Sequence, residues 1–249
     1  MKKSFIFLAA AILTVFLTLF FFLTPSQIIS EINKAQQAVV MTAGGSGGNF
    51  LTGYHFTNAS LAGKDGRRLL VLDEVTLNIR LLPLVFGRVG IEIHSREVAA
   101  VFSVNLNGSL KGEATFNGLP FDTAAVIPPT DISFTAPISG RVIVSGRKAD
   151  IEVKADEIGW KKLSVAGFDL PLNIFEKGKG ALAVEQGRVV IKSLAFEGSK
   201  GYARLSGEIL SGQRQLVLEL FPNDWNDFML IPLERYKISP GQYRMTLNL

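Results

Sequence analysis

The chain has 249 residues, a net charge of +4, 47% hydrophobic and 19% charged residues, and no cysteine. Disulfides, thiolate metal sites and cysteine nucleophiles are therefore excluded. Its basic residues are scattered, with tight pairs only at Lys2-Lys3, Arg67-Arg68, Arg147-Lys148 and Lys161-Lys162. Nucleic acid, which calls for a concentrated basic stripe, is not an expected partner; mild attraction to anionic lipid headgroups is.

The first element is an uncharged apolar run from Ser4 to Thr24, directly after Lys2 and Lys3. As a helix rising about 1.5 Å per residue it reaches roughly 30 Å, the thickness of a bilayer's hydrocarbon core. A cleavable signal has a shorter apolar stretch of about 7–15 residues and a small-x-small site, which Leu23-Thr24-Pro25-Ser26-Gln27 does not offer. An uncleaved anchor is thus expected over a cleaved signal, with the lysines cytoplasmic. In a bacterium that places the chain in the inner membrane with its body in the periplasm.

Residues 25–40 read as a juxtamembrane helix. Thr24 is placed to cap it, Pro25 fits the first turn, and Ile28, Ile29, Ile32, Ala35 and Val39 form one apolar face. That face suits packing on the following domain better than on a membrane, because the polar face is not enriched in lysine and arginine. Residues 42–49 (TAGGSGGN) read as a flexible loop. They lack the Gly-Lys-Ser/Thr and the strand-turn-helix frame of a phosphate cradle.

From Phe50 the apolar period becomes that of strands. Residues 51–61 alternate and turn at Lys64-Asp65-Gly66-Arg67 into a partner strand over 68–80. Residues 81–87 (LLPLVFG) form an apolar knot, read as a short helical turn covering a sheet end. Strands follow over 89–96, 98–107 and 110–116, with Asn107-Gly108 as a turn. Residues 119–129 (LPFDTAAVIPP) read as irregular, either a division between subdomains or a long crossover. Nine more strands are expected at 131–136, 140–145, 149–155, 163–168, 180–185, 189–197, 202–209, 215–221 and 242–249. Residues 222–240 read as irregular with one helical turn. Gly87, Gly140 and Gly187, each followed by Arg-Val, mark stacked β units rather than a strict repeat. The domains expected are thus 1–24, 25–40 and a β-rich domain over 41–249, with either a subdivision or a crossover near 119–130. Such stacked units bury a continuous apolar face, and a sheet that curls without closing makes its concave side a groove.

Residues suited to catalysis are few. His55 and His94 lie in separate strand runs; Glu92 can share a face with His94, but no second ligand pair accompanies them. Asp73-Glu74, Asp156-Glu157 and the Asp224/Asp227 pair are the carboxylate clusters. The last of these, flanking Trp225 and Phe228, is the most site-like. The competing reading has Trp225 and Phe228 pinning a loop to the core while the acids face water, and it is preferred. No catalytic, cofactor-binding or metal-binding residue is expected.

Phe168-Asp-Leu-Pro-Leu172 precedes glycines at 178 and 180, and Gln186-Gly-Arg-Val-Val-Ile191, strands ending at Gly198 and Ile209, and residues 233–249 with Ser239-Pro-Gly-Gln-Tyr243 follow. With these, the anchor, the helix at Pro25 and the knot 81–87, the chain resembles the protein N family of the bacterial type II secretion system and, more distantly, AsmA-type periplasmic proteins. The resemblance implies a mainly β, non-enzymatic inner-membrane component of an export apparatus, meeting secretin, platform or pseudopilin proteins. The AsmA-like character implies an alternative, an open apolar β groove or barrel that binds or transfers phospholipid.

Overall fold

The computed structural model describes residues 23–35, 39–63, 66, 68–80, 86–122, 132–165, 168–170, 172–185, 188–210, 213–223, 225 and 230–248. The protein is mainly β and antiparallel, and it divides into two compact units, Met1–Asn107 and Gly108–Leu249. Among the described residues no helix is long and apolar enough to cross a membrane. The run expected as an anchor lies, apart from Leu23 and Thr24, outside the described residues.

Among the described residues the first helix of the first unit is α1, Pro25–Ala35. Thr24 and Gln27 cap it reciprocally. The Gln27 N–H donates to Thr24 Oγ1 at 3.3 Å, and the Thr24 N–H donates to Gln27 Oε1 at 2.9 Å. The helix does not continue to Val40 as its apolar spacing suggested; Val39–Thr42 is strand β1. Two consecutive β-branched valines favour extended backbone. Asn33 then holds the strand with both amide atoms, its Oδ1 accepting from the Met41 N–H at 2.7 Å and its Nδ2 donating to the Met41 carbonyl at 2.9 Å.

The glycine-rich stretch expected as a loop is also extended, with Gly45–Asn49 forming β2. Strand β3, Gly53–Gly63, takes β1 along Ser60–Gly63 and β2 along Gly53–Thr57. Backbone hydrogen bonds make this strand, so side-chain alternation could not announce it. Gly48, at φ +87, adopts a conformation that a residue with a Cβ resists. β4 (Arg68–Arg80), β5 (Arg88–His94) and β6 (Val98–Asn105) complete the antiparallel sheet. Ile28, Ile29 and Ile32 of α1 pack with Phe50, Tyr54, Phe56, Ala59 and Val75. Of the expected knot, residues 81–85 lie outside the described residues, and Phe86 is 81% exposed.

Alternation changes phase once in the β3–β4 hairpin. Thr57 and Asn58 are both exposed, as are the facing Glu74 and Asp73, and beyond them the inward positions become Ala59 and Leu72. Asn58 has φ 47, the left-handed region in which asparagine is among the better-tolerated residues.

The second unit comprises β7 (Leu110–Asp122), β8 (Ile132–Ser145), β9 (Lys148–Ala155), β10 (Gly159–Val165), β11 (Phe168–Asp169) and β12 (Lys177–Glu185). β13 (Arg188–Gly198), β14 (Gly201–Leu210), β15 (Gln213–Pro222), β16 (Lys237–Ser239) and β17 (Gln242–Asn248) follow. The ladder runs β7-β8-β9-β12-β13-β14-β15-β17, all antiparallel. β10 pairs with the first part of β8, and β11 with β10.

Two expectations about this unit are corrected. Residues 119–122, expected as irregular, belong to β7 beyond a bulge at Asn117-Gly118, while 123–131 lie outside the described residues. The two strands expected at 131–136 and 140–145 are one, β8. Pro137 faces Pro120 across the ladder, at the point where the second partner of β8 changes from β10 to β9. A proline without an N–H fits such a changeover, where the ladder is already interrupted. The helical turn expected within 222–240 is a 3-10 helix, Ile231–Tyr236, followed by the three-residue β16.

Trp160 organises the core of this unit. Its ring lies 5.0 Å from Phe134, 5.5 Å from Phe196 and 6.3 Å from Phe175, and its Nε1–H donates to the Phe175 carbonyl at 2.7 Å. Around it pack Leu163, Leu170, Ile174, Leu220, Leu233, Tyr243 and Met245.

Candidate functional site

Register in the second unit lines up apolar residues across many strands. One row reads Phe116, Gly140, Val153, Gly180, Leu194, Leu205, Leu218 and Met245, from β7 to β17. The next reads Ala114, Val142, Ile151, Leu182, Ile191, Gly207 and Leu216, and a third runs Gly112, Val144, Ala149, Val184, Val189 and Ile209. The first two rows hold no charged residue, and the third continues from Ile209 to Arg214 of β15. Eight strands at about 4.8 Å spacing make a face roughly 34 Å wide.

Two bulges keep the rows aligned. β13 carries an extra residue between Ile191 and Leu194 relative to both neighbours, so residues three apart share a face. The bulge at Asn117-Gly118 does the same for Phe116 and Leu119.

The opposite face is polar. One of its rows reads Ser139, Lys154, Lys179, Ala195, Arg204, Glu219 and Arg244. Ion pairs cross it between Arg141 and Glu113 (2.6 Å), Lys179 and Glu197 (2.6 Å), and Lys192 and Asp150 (2.8 Å). The hydrogen bond from Lys192 holds the Asp150 carboxyl below its usual range, and donating to the Glu113 carboxylate raises Arg141. These exposed pairs keep this side solvated and add little stability.

The core reaches only part of the apolar face. Leu218 and Met245 belong to the Trp160 cluster, and Phe196 and Leu205 pack against it. Phe116, Val142, Ile151, Val153, Leu182 and Leu194 belong to neither core cluster and stay half-buried. Full burial of an aliphatic side chain is worth about 1.5–3 kcal/mol, so such a surface retains an incentive to be covered.

The side chains considered for chemistry fall elsewhere. His55, Thr76 and His94 stand side by side across β3, β4 and β5, both histidines exposed, with Thr76 Oγ1 3.2 Å from His55 Nδ1. Register thus brings together two histidines that are far apart in sequence. Glu92 is occupied by Arg80 at 2.8 Å, and among the described residues no group of three or more His, Asp or Glu is arranged to hold a metal. Asp73 and Glu74 are exposed at the phase change of β4; Asp156 is exposed and pairs with Lys154 at 2.8 Å. Asp224, Asp227 and Phe228 lie outside the described residues. Trp225 donates its Nε1–H to the Lys200 carbonyl at 2.6 Å and packs on the core, as expected of a side chain that pins a loop. The sequence led to the expectation of a continuous apolar face but not to which residues share its rows. Their alignment depends on the bulges.

Comparison of the chain with protein-family models, with curated proteins and with solved structures gives no match.

Proposed function

We propose that this chain is a single-pass inner-membrane protein whose periplasmic β domain, an AsmA-like open groove, binds lipid acyl chains along the apolar face of its second unit. The observation that carries this reading is the face of three apolar rows, on which Phe116, Val142, Ile151, Val153, Leu182 and Leu194 are half-buried and outside both core clusters. Acyl chains need no directional partner; they need continuous apolar surface free of charge. The domain acts by binding, and no catalytic residue is assigned to it.

The test places a photoreactive amino acid singly at Val142, Ile151 or Leu182 and, on the polar face, at Glu152 or Arg204. Irradiation in cells and mass spectrometry of the purified full chain then show what is attached. Phospholipid adducts at the first three positions and not at the last two support the assignment. Equal adducts on both faces, or none, refute it.

A second reading makes the domain a scaffold of the type II secretion apparatus, meeting secretin, platform or pseudopilin proteins. What favours it is the resemblance in element order and in residues 233–249 to protein N. Crosslinking to secretion components in cells, with exoproteins retained after clean deletion, supports that role; normal export after deletion rules it out.

A further inference from the structure

We infer that the first unit touches the bilayer a second time, through the apolar turns at one end of its sheet; the inference rests on the membrane anchoring proposed above. Among the described residues of this unit, the three most exposed large apolar side chains are Phe86 at 81%, Leu106 at 74% and Leu51 at 57%. All three are in turns at the same sheet end. Leu51 lies between β2 and β3, Phe86 just before β5, and Leu106 just after β6. Register fixes this. Tyr54 faces Leu77 near the start of β3, Arg80 at the end of β4 faces Gly90, and Arg88 at the start of β5 faces Asn105 at the end of β6. Phe86 and Leu106 are neighbours, because the Leu106 N–H donates to the Gly87 carbonyl at 2.9 Å.

The apolar N-terminal run enters the described structure at this same end. Tyr54, fully buried, donates its hydroxyl to the Leu23 carbonyl at 2.9 Å. From there α1 leads away toward β1, where Asn33 meets Met41. The occupant that fits is therefore the bilayer interface into which the run Ser4 to Leu23 would insert. Aromatic and aliphatic tips enter such an interface, and the exposed Arg88 beside them suits anionic headgroups.

Because the chain has no cysteine, single labels are clean. Full-length Leu51→Cys, Phe86→Cys and Leu106→Cys would each carry an environment-sensitive fluorophore, with Val40→Cys and Val71→Cys as exposed apolar controls toward the far end. Val71 precedes Arg80 along β4 by roughly 30 Å at about 3.3 Å per residue. Each protein is reconstituted in phosphatidylethanolamine–phosphatidylglycerol vesicles with nitroxide high on the acyl chains. Labels at 51, 86 and 106 should lose most of their emission while those at 40 and 71 keep theirs. Equal quenching at all five positions, or protection at 86 and 106, in protein that floats with the vesicles overturns the second contact and leaves the anchor standing. A chain that fails to float overturns both.

Discussion

Leu182→Lys separates an open binding face from a packed core. Leu182 sits in the middle of the second apolar row, half-buried, between Ile151 and Ile191. Replacing it forfeits part of the roughly 1.5–3 kcal/mol of a buried leucine, while lysine can lay its methylenes along the sheet and lift its ammonium toward water. The cost to folding should therefore be about 1–2 kcal/mol, a fall of about 2–8 °C in melting temperature at about 2–4 °C per kcal/mol. The cost to lipid is larger. A lysine among acyl chains costs about 2.5–3.5 kcal/mol, so occupancy of the face should drop on the order of 100-fold. Leu220→Lys is the comparison. Leu220 is 1% exposed within the Trp160 cluster, and an unpaired charge there should prevent folding of the unit. Near-UV circular dichroism of the full chain in detergent reads folding, and photo-adduct yield at Ile151 reads lipid. The reasoning fails if Leu182→Lys leaves adduct yield unchanged. It fails equally if Leu182→Lys unfolds the unit as Leu220→Lys does, because the face is then interior.

Trp160→Phe keeps one ring but loses the 2.7 Å donation to the Phe175 carbonyl and part of the indole's contact with Phe134 and Phe196. A loss of about 2–4 kcal/mol in urea unfolding is expected, and a change under about 0.5 kcal/mol would remove Trp160 from the core. Tyr54→Phe should cost about 0.5–1.5 kcal/mol through the hydrogen bond to Leu23. Burial raises the Tyr54 pKa above 10.0, so its folded state holds the proton more tightly than the unfolded state. The stability tied to that proton is complete below pH 10.0 and is lost as pH rises through the raised value. Alkaline titration should therefore destabilise the native chain more than Tyr54→Phe; parallel curves would contradict this. Gly207→Ala should cost about 1–3 kcal/mol, because Gly207 has φ 141 and a Cβ there meets the Gln215 carbonyl; an unchanged melting temperature would refute the strain.

Strands that bury one face announce themselves by alternation, and β4, β6, β9 and β14 were legible for that reason. β2 was not, because Gly45, Gly47 and Gly48 carry no side chain to alternate and its pairing with β3 is written only in backbone hydrogen bonds. The Val39-Val40 pair fitted a helical period by spacing, and its β-branching decided the outcome. Alternation shows that a strand has an apolar side but not which residues of different strands share a row. Ile191 and Leu194 look out of phase until the bulge between them is known, and His55 and His94 look remote until β4 is placed between them. The apolar face was therefore half legible: its existence and its residues were, the pairing of those residues across strands was not.

The junction at the N-terminus bears on both proposals. A tether would leave the sheet free to turn over the membrane, whereas Leu23 and α1 are held at both ends. The Thr24–Gln27 box fixes where the helix starts, Tyr54 fastens the residue before it, and Asn33 fastens its last turn to Met41. Ile28 and its neighbours bury the face between. Freeing α1 would expose that apolar face and break the hydrogen bonds of Tyr54 to Leu23 and of Asn33 to Met41. An anchor joined this way holds the first unit in one orientation, so the turn end at Leu51, Phe86 and Leu106 either always meets the bilayer or never does. That is why a position-by-position quenching pattern, rather than a measure of average membrane affinity, is the informative experiment.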